Sequence, residues 1–221
     1  MEREFWLEKW NRQEVGFHNP DPHPFLSQYA GKVFQQSEQI FVPLCGMSVD
    51  MVYLLSLGIR VVGCELSEKA VSRFFDVSAG YEGVQKPVIS RSAESPLALY
   101  DGGDIKIWQG DYFSLREHDF DQVQAIYDRA ALIALPENMR KNYVNHMHRL
   151  FPSAKLMLIT LEYPQQEMKG PPFSVERSEV EKLFNFAQIK VLAKMDILKG
   201  EPKFMQRGLT ELTECVYQID W

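Results

Sequence analysis

The stretch from residue 40 to residue 67 has the pattern of a strand, a turn, a helix and a second strand. Residues 40–44 are a short apolar run, as expected of a strand that is buried on both faces. Apolar side chains recur at helical spacing over residues 50–57, and Gly58 stands where a glycine commonly ends a helix. Residues 60–66 return as the second strand. This order predicts a Rossmann-like, doubly wound α/β fold, in which ligands bind beyond the carboxyl ends of the strands.

An acidic residue, Glu65, stands near the carboxyl end of the second strand. An acid about twenty residues after the first turn is placed to accept hydrogen bonds from both hydroxyls of a ribose. The turn reads P-L-C-G-M-S, so it lacks the three glycines of a dinucleotide site and the lysine of a phosphate-binding loop. A ribose site without a phosphate site favours S-adenosylmethionine as the cofactor. The alternative is an ordinary strand–helix–strand unit in which the acid has no role.

Composition limits the classes of partner. A chain of 221 residues suits one α/β domain, and its formal net charge of −6 argues against a nucleic-acid partner. No run of apolar residues is long enough to span a membrane, and the charged first ten residues are unlike a signal peptide. Three cysteines are most simply read as reduced thiols. We therefore expect a cytoplasmic protein with no membrane partner.

The first 35 residues are unlike the rest of a Rossmann sheet. Residues 2–12 predict a helix, on which Trp6 and Trp10 are adjacent because they are four positions apart. A proline-rich segment follows and excludes regular helix there. These aromatic side chains either pack on the core or form a lid over the cofactor. We expect one domain over residues 1–221, with a lid segment at 1–35 and a core at 36–221.

Residues that could act as metal ligands or nucleophiles do not form a convincing site. His18, Asp21 and His23 lie in the stiff proline-rich segment, where no further strong ligand is evident. Cys45 stands in the tight turn, where its backbone matters more than its thiol. We therefore expect no metal and no catalytic side chain.

Two later strands end in polar residues. Asp111 and Tyr112 follow the strand at 104–108, and Asp128 and Arg129 follow the strand at 122–127. Residues at these positions of a doubly wound sheet lie in the ligand crevice. Asp111 could instead close an Asx-type turn, and the Asp-Arg pair could belong to an ordinary surface loop.

The remaining pattern predicts the size of the sheet. Residues 79–103 contain glycines, prolines and polar residues, which indicate a long irregular connection. The segments 189–197 and 212–219 predict an antiparallel hairpin that closes the sheet. Together they predict a seven-stranded, mostly parallel sheet with an antiparallel C-terminal strand and an N-terminal helical lid.

Several motifs resemble one known family. The runs are F-W-L-E-K-W-N-R-Q-E-V-G-F-H, F-V-P-L-C-G, V-V-G-C-E-L-S, I-Y-D-R-A-A-L and G-P-P-F. In their order and spacing, from Phe5 to Phe173, they resemble thiopurine S-methyltransferase. The resemblance fades after about residue 190, so the last two strands depend on pattern alone.

The resemblance implies S-methylation of an aromatic or heterocyclic thiol, such as a thiopurine, by S-adenosylmethionine. Heteroaryl thiols ionise readily, so no dedicated base is required. We expect a monomer with a small-molecule thiol substrate. The resemblance also implies two sets of contacts: with the cofactor for Trp10, Leu44, Glu65, Asp111, Tyr112 and Arg129, and with the acceptor for Phe17, Arg129, Pro172 and Phe173.

Two other functions remain open from the sequence. A related methyltransferase acting on inorganic ions, such as halide, selenium or tellurium species, would use the same cofactor site. A regulatory protein could bind S-adenosylmethionine without turnover. Comparing turnover on thiophenols and on those ions separates the first alternative, and cofactor binding without methyl transfer would indicate the second.

Overall fold

A computed structural model describes residues 3–12, 14 and 20–221. The chain divides into two compact units between Ile126 and Tyr127. The expected division into a lid at 1–35 and a core at 36–221 stays a prediction. The first unit contains α1 Arg3–Asn11, α2 Pro24–Val33, β1 Gln39–Val42, α3 Asp50–Ser56, β2 Arg60–Glu65, α4 Glu68–Val77, β3 Val84–Arg91, β4 Ala98–Gly103, β5 Ile105–Gln109 and the start of β6 Ala125–Arg129.

The sheet of the first unit has the order β3-β4-β5-β2-β1-β6. Its centre is parallel, because β1 pairs with both β2 and β6 and β2 pairs with β5 in that direction. All four residues of β1 are buried, as the short apolar run predicts for a strand covered on both faces. The carboxyl ends of β1, β2 and β5 therefore meet at one edge of this sheet.

The prediction of an irregular connection over residues 79–103 is wrong. β3 and β4 form an antiparallel pair there, and β4 also pairs with β5. β3 is hard to recognise from the sequence because it contains Pro87 and because Val88 is 72% exposed. An edge strand tolerates both. The described strands therefore number nine, and the prediction of seven is also wrong.

One helix of the first unit was not expected from the sequence. α2 begins at Pro24, a residue that suits the first turn of a helix because it has no N–H to leave unpaired. Nδ1 of His23 accepts a hydrogen bond from the N–H of Phe25 (3.3 Å), so this histidine caps the helix.

No helix within the described residues is long and apolar enough to span a bilayer.

The second unit continues from β6 and has the strand order β6-β7-β9-β8. The predicted C-terminal hairpin is confirmed, since β9 pairs antiparallel with β8 and also with β7. The fold class is confirmed as α/β, with a parallel centre and antiparallel strands outside it. The elements of this unit are α5 Glu137–Leu150, β7 Lys155–Glu162, α6 Arg177–Leu183, β8 Gln188–Asp196, α7 Pro202–Gln206 and β9 Thr213–Asp220.

Candidate functional site

The turn after β1 is joined directly to the end of β2. The N–H of Gly46 donates to Oε2 of Glu65 (2.9 Å), and the N–H of Cys45 donates to the carbonyl of Cys64 (2.9 Å). Leu44 and Gly46 both have positive φ angles, of 46° and 55°. A leucine in this conformation is uncommon, and such strained positions cluster at functional sites.

Glu65 is a buried carboxylate held by backbone donors. Oε1 accepts from the N–H of Ser67 (2.7 Å), and the residue is 6% exposed. Burial raises the pKa of Glu65 to about 7, although the N–H groups of Ser67 and Gly46 favour the ionised form. Each carboxylate oxygen has two lone pairs. The N–H of Leu66 also favours the ionised form, so three backbone donors face about four acceptor positions. The carboxylate therefore keeps the capacity to accept at least one further hydrogen bond, as a ribose site requires.

Trp10 lies against the same turn. A Cβ added to Gly46 would be 3.2 Å from Cζ2 of Trp10, so the indole edge covers the glycine. The Trp10 side chain is buried, with 6% of the residue exposed. The structure thus brings three of the predicted cofactor contacts, Trp10, Leu44 and Glu65, to a single turn.

The two residues after β5 differ in their surroundings. Asp111 is exposed, and its Oδ1 accepts from the N–H of Phe113 (2.9 Å), which is the Asx-type turn left open from the sequence. Tyr112 is buried and its ring stacks on Phe41, with 6.4 Å between the ring centroids. The N–H of Gly110 donates to the carbonyl of Glu65 (2.9 Å), so this turn is also tied to the end of β2. The predicted adenine contacts of Asp111 and Tyr112 stay predictions.

Cys45 has a structural position in this turn. Burial raises the pKa of the Cys45 thiol well above its usual range, so the thiol is not available as a thiolate. A Cβ on Gly63 would be 2.7 Å from Sγ of Cys45, which shows that β2 needs a glycine at this point for the turn to pack. The expectation that Cys45 is not a nucleophile stays a prediction.

Asp128 and Arg129 in the second unit have different roles in the local structure. Asp128 is buried, and its carboxylate accepts from the hydroxyl of Tyr143 (2.7 Å) and from the N–H of Leu132 (3.1 Å). Burial raises the pKa of Asp128 to about 6. Asp128 therefore fixes the turn after β6, in which Ala130 has a φ angle of 63°. Arg129 is half-buried at the end of β6, and its contacts with cofactor and acceptor stay predictions.

The G-P-P-F motif forms a loop whose shape is fixed by hydrogen bonds. Tyr163 donates its hydroxyl to the carbonyl of Pro172 (2.6 Å), and the N–H of Phe173 donates to the carbonyl of Ile133 (2.7 Å). The Gly170–Pro171 and Pro171–Pro172 peptide bonds are cis. Burial raises the pKa of Tyr163, which keeps its hydroxyl protonated as a donor. Pro172 and Phe173 are neighbours in this loop, and their contacts with an acceptor stay predictions. Phe17, another predicted acceptor contact, lies outside the described residues.

Sequence patterns did not reveal the polar residues that hold these loops. Tyr143 lies on the buried face of α5, and its hydroxyl reaches the carboxylate of Asp128. Arg140 is also buried on α5, with 3% of the residue exposed. Arg140 stands three positions before Tyr143, so on a helix the two lie on the same face. Because charged residues are rarely buried unless paired, this spacing could have predicted a polar partner for Arg140.

Comparison with known proteins covers nearly the whole length of the chain. The family model for thiopurine S-methyltransferase matches residues 1–220. A thiopurine S-methyltransferase of Shewanella woodyi is 40% identical over 222 residues, which cover 99% of this chain and 98% of the relative. One of Pseudomonas fluorescens is 38% identical over 221 residues and covers 99% of both chains.

Solved structures match at the level of the fold. A SAM-dependent methyltransferase from Anabaena variabilis gives a TM-score of 0.63 at 12% identity, covering 99% of this chain and 94% of its own. A Burkholderia thailandensis N1-methyltransferase solved with S-adenosylhomocysteine gives 0.59 at 11% identity, covering 98% and 86%. At these identities the likeness shows the methyltransferase fold alone.

The family model and the solved structures both agree with the fold that was predicted from the single-glycine turn and the acid that follows it. The family match also extends through the last two strands, where the sequence motifs gave no support. The chain belongs to the thiopurine S-methyltransferase family.

Proposed function

We propose that this protein transfers the methyl group of S-adenosylmethionine to the sulfur of aromatic or heterocyclic thiols such as thiopurines. The observation that carries the proposal is the family match over residues 1–220. The turn of the first unit supports it, because the buried carboxylate of Glu65 lies beside a loop with a single glycine, as a ribose site without a phosphate site would require. Methylation of inorganic ions and cofactor binding without turnover are not favoured by this match.

The residues of the first unit fit S-adenosylmethionine. Glu65 would accept from the ribose hydroxyls, since its carboxylate keeps acceptor capacity beyond its backbone donors. Asp111 and Tyr112 would contact the adenine, and Trp10 and the strained backbone of Leu44 would cover and shape the site. When bound, S-adenosylmethionine supplies an electrophilic methyl group on a sulfonium centre.

The residues of the second unit would act on the acceptor. Arg129 would hold a ring nitrogen or favour the thiolate, because a guanidinium stays charged and cannot act as a base. Pro172 and Phe173 would form an apolar wall, and we propose that Phe17 also contacts the acceptor. Transfer to a thiolate destroys charge, so orientation and the exclusion of water are the main tasks of the protein.

The three described cysteines are free thiols, which supports the proposal of a reducing, cytoplasmic location. We also propose that the protein acts as a monomer on small-molecule thiols, without nucleic acid or membrane as a partner.

An acceptor screen tests this function. The protein is first titrated with S-adenosylhomocysteine by calorimetry, and release of S-adenosylhomocysteine from S-adenosylmethionine is then measured with 6-mercaptopurine, thiophenol, iodide and selenite. We expect turnover with the two aromatic thiols. Turnover with the ions alone, or binding without turnover on any acceptor, would contradict the proposal.

A further inference from the structure

Phe173 is held through both its backbone and its ring. Its backbone N–H is bonded to Ile133, and the ring lies so close to Gly170 that a Cβ there would be 2.5 Å from Cδ1 of Phe173. The side chain is half-buried, so part of it remains exposed. Phe173 therefore presents an aromatic surface whose position is set by its surroundings.

Arg140 contributes to those surroundings through three contacts. Its Nε donates to the carbonyl of Leu135 (2.9 Å), and its Nη1 donates to Oε2 of Glu179 (2.6 Å). The centre of the guanidinium is 5.7 Å from the centroid of the Phe173 ring, within the range of a cation–π interaction. One planar group thus links α5, α6 and the G-P-P-F loop.

The burial of Arg140 limits what it can do. Only 3% of the residue is exposed, so its side chain cannot reach a ligand in solvent. Its charge is already matched by the carboxylate of Glu179. Any effect on an acceptor must therefore pass through the residues that it contacts. Of these, Phe173 is the one that is proposed to contact the acceptor.

We infer that Arg140 is a positioning residue, which acts through Phe173 to set the wall that receives the ring of an aromatic thiol. This inference rests on the proposed function. A lysine at this position would keep the charge but lose the planar fork, so it could not maintain all three contacts. The Phe173 ring would then be free to leave the orientation in which it packs on a flat acceptor.

The test is the KM for 6-mercaptopurine in Arg140→Lys. We expect this KM to rise roughly three- to tenfold, the size of one lost aromatic contact. The Kd for S-adenosylhomocysteine should stay unchanged. Loss of folded protein alone lowers kcat and leaves KM unchanged, so the KM separates positioning from a purely structural role. Arg177→Lys is the matched control, because Arg177 forms an exposed ion pair with Glu181.

A double-mutant cycle shows whether the effect passes through Phe173. In a Phe173→Leu background, which keeps an apolar side chain but removes the ring, Arg140→Lys should change the KM no further. If Arg140→Lys does not fold, Glu179→Gln replaces it in both backgrounds, and we expect a smaller rise in KM in the parent background only. An unchanged KM in the parent background, or an equal rise in both backgrounds, would overturn the inference. Absence of thiol methylation by the parent protein would instead overturn the proposed function.

Discussion

The backbone N–H of Gly46 donates a hydrogen bond to Oε2 of Glu65 over 2.9 Å. This bond joins the turn after β1 to the end of β2, and the indole of Trp10 covers the same glycine. The acid that is proposed to bind the ribose is therefore also the residue that holds the turn in place. Changes at Glu65 should affect both cofactor affinity and stability.

Glu65→Ala should weaken binding of S-adenosylhomocysteine. Hydrogen bonds to a charged group contribute about 1.5–3 kcal/mol each, so the Kd should rise roughly tenfold to several hundredfold. The variant should also lose stability, by about 1–3 kcal/mol for each buried N–H that it leaves without an acceptor. Calorimetry and urea unfolding measure the two effects. Glu82→Ala, at an exposed position of the same unit, serves as the control and should change neither.

Affinity for S-adenosylhomocysteine should depend on pH through Glu65. Its pKa in the free protein is raised to about 7 by burial, so below that pH the carboxyl is largely protonated. A protonated carboxyl has lost acceptor capacity, whereas the ribose hydroxyls are donors. Binding should therefore release a proton at low pH, and the Kd should fall by up to about tenfold per unit as the pH rises towards 7.

Calorimetry in two buffers of different ionisation enthalpy measures that proton release. Glu65→Gln cannot titrate, so its weaker binding should not vary with pH over the same range. A parent Kd that stays constant between about pH 5.5 and pH 8 would show that Glu65 does not ionise on binding.

Gly46→Ala should weaken cofactor binding for a steric reason. The φ angle of 55° disfavours alanine, and the added Cβ would be 3.2 Å from Cζ2 of Trp10. Gly58→Ala is a matched control, because Gly58 has a φ angle of 78° with no atom near the added Cβ. Both variants should lose about 1 kcal/mol of stability from the backbone alone. Only Gly46→Ala should also raise the Kd for S-adenosylhomocysteine, and equal Kd values in the two variants would remove Trp10 from the site.

Tyr143→Phe should destabilise the protein more at high pH than at low pH. The hydroxyl donates to Asp128, whose pKa is raised to about 6 by burial. Because the folded pKa exceeds the unfolded one, stability contributed by Asp128 is present at low pH and is lost as the pH rises through 6. Removing the donor raises the pKa further, so the ionised carboxylate above this range becomes harder to bury.

Urea unfolding at about pH 5 and pH 8 measures this difference, and we expect a loss of about 1–3 kcal/mol at the higher pH. Tyr81→Phe is the control, since Tyr81 is 57% exposed. The same loss at both pH values would mean that the hydroxyl matters to packing rather than to the charge of Asp128.

Local sequence signals explain which parts of the molecule could be predicted. Glu65 and the single glycine of its turn stand in a fixed relation to two apolar strands, and the structure brings them into hydrogen-bond contact. The helix over residues 2–12 was predicted from aromatic spacing and runs from Arg3 to Asn11. Such signals depend on residues that are close in the chain, so they can be recognised before the tertiary structure is known.

Other features depend on tertiary contacts and could not be predicted. β3 and β4 contain Pro87, Gly102 and Gly103, residues that usually interrupt a strand. The pairing of the two strands along the edge of the sheet overrides that local preference. The Arg140–Glu179 ion pair joins residues 39 positions apart. Helical spacing does not say which polar partners the buried Arg140 and Tyr143 meet.

Transfer of a methyl group to sulfur is tested most directly with S-adenosylmethionine labelled with carbon-13 in its methyl group. The protein is incubated with this cofactor and 6-mercaptopurine, and the products are followed by NMR and mass spectrometry. We predict an S-methyl product that forms with the parent protein and much more slowly with Glu65→Ala. A parent protein that binds S-adenosylhomocysteine but yields no S-methyl product from 6-mercaptopurine or thiophenol would contradict the proposed function.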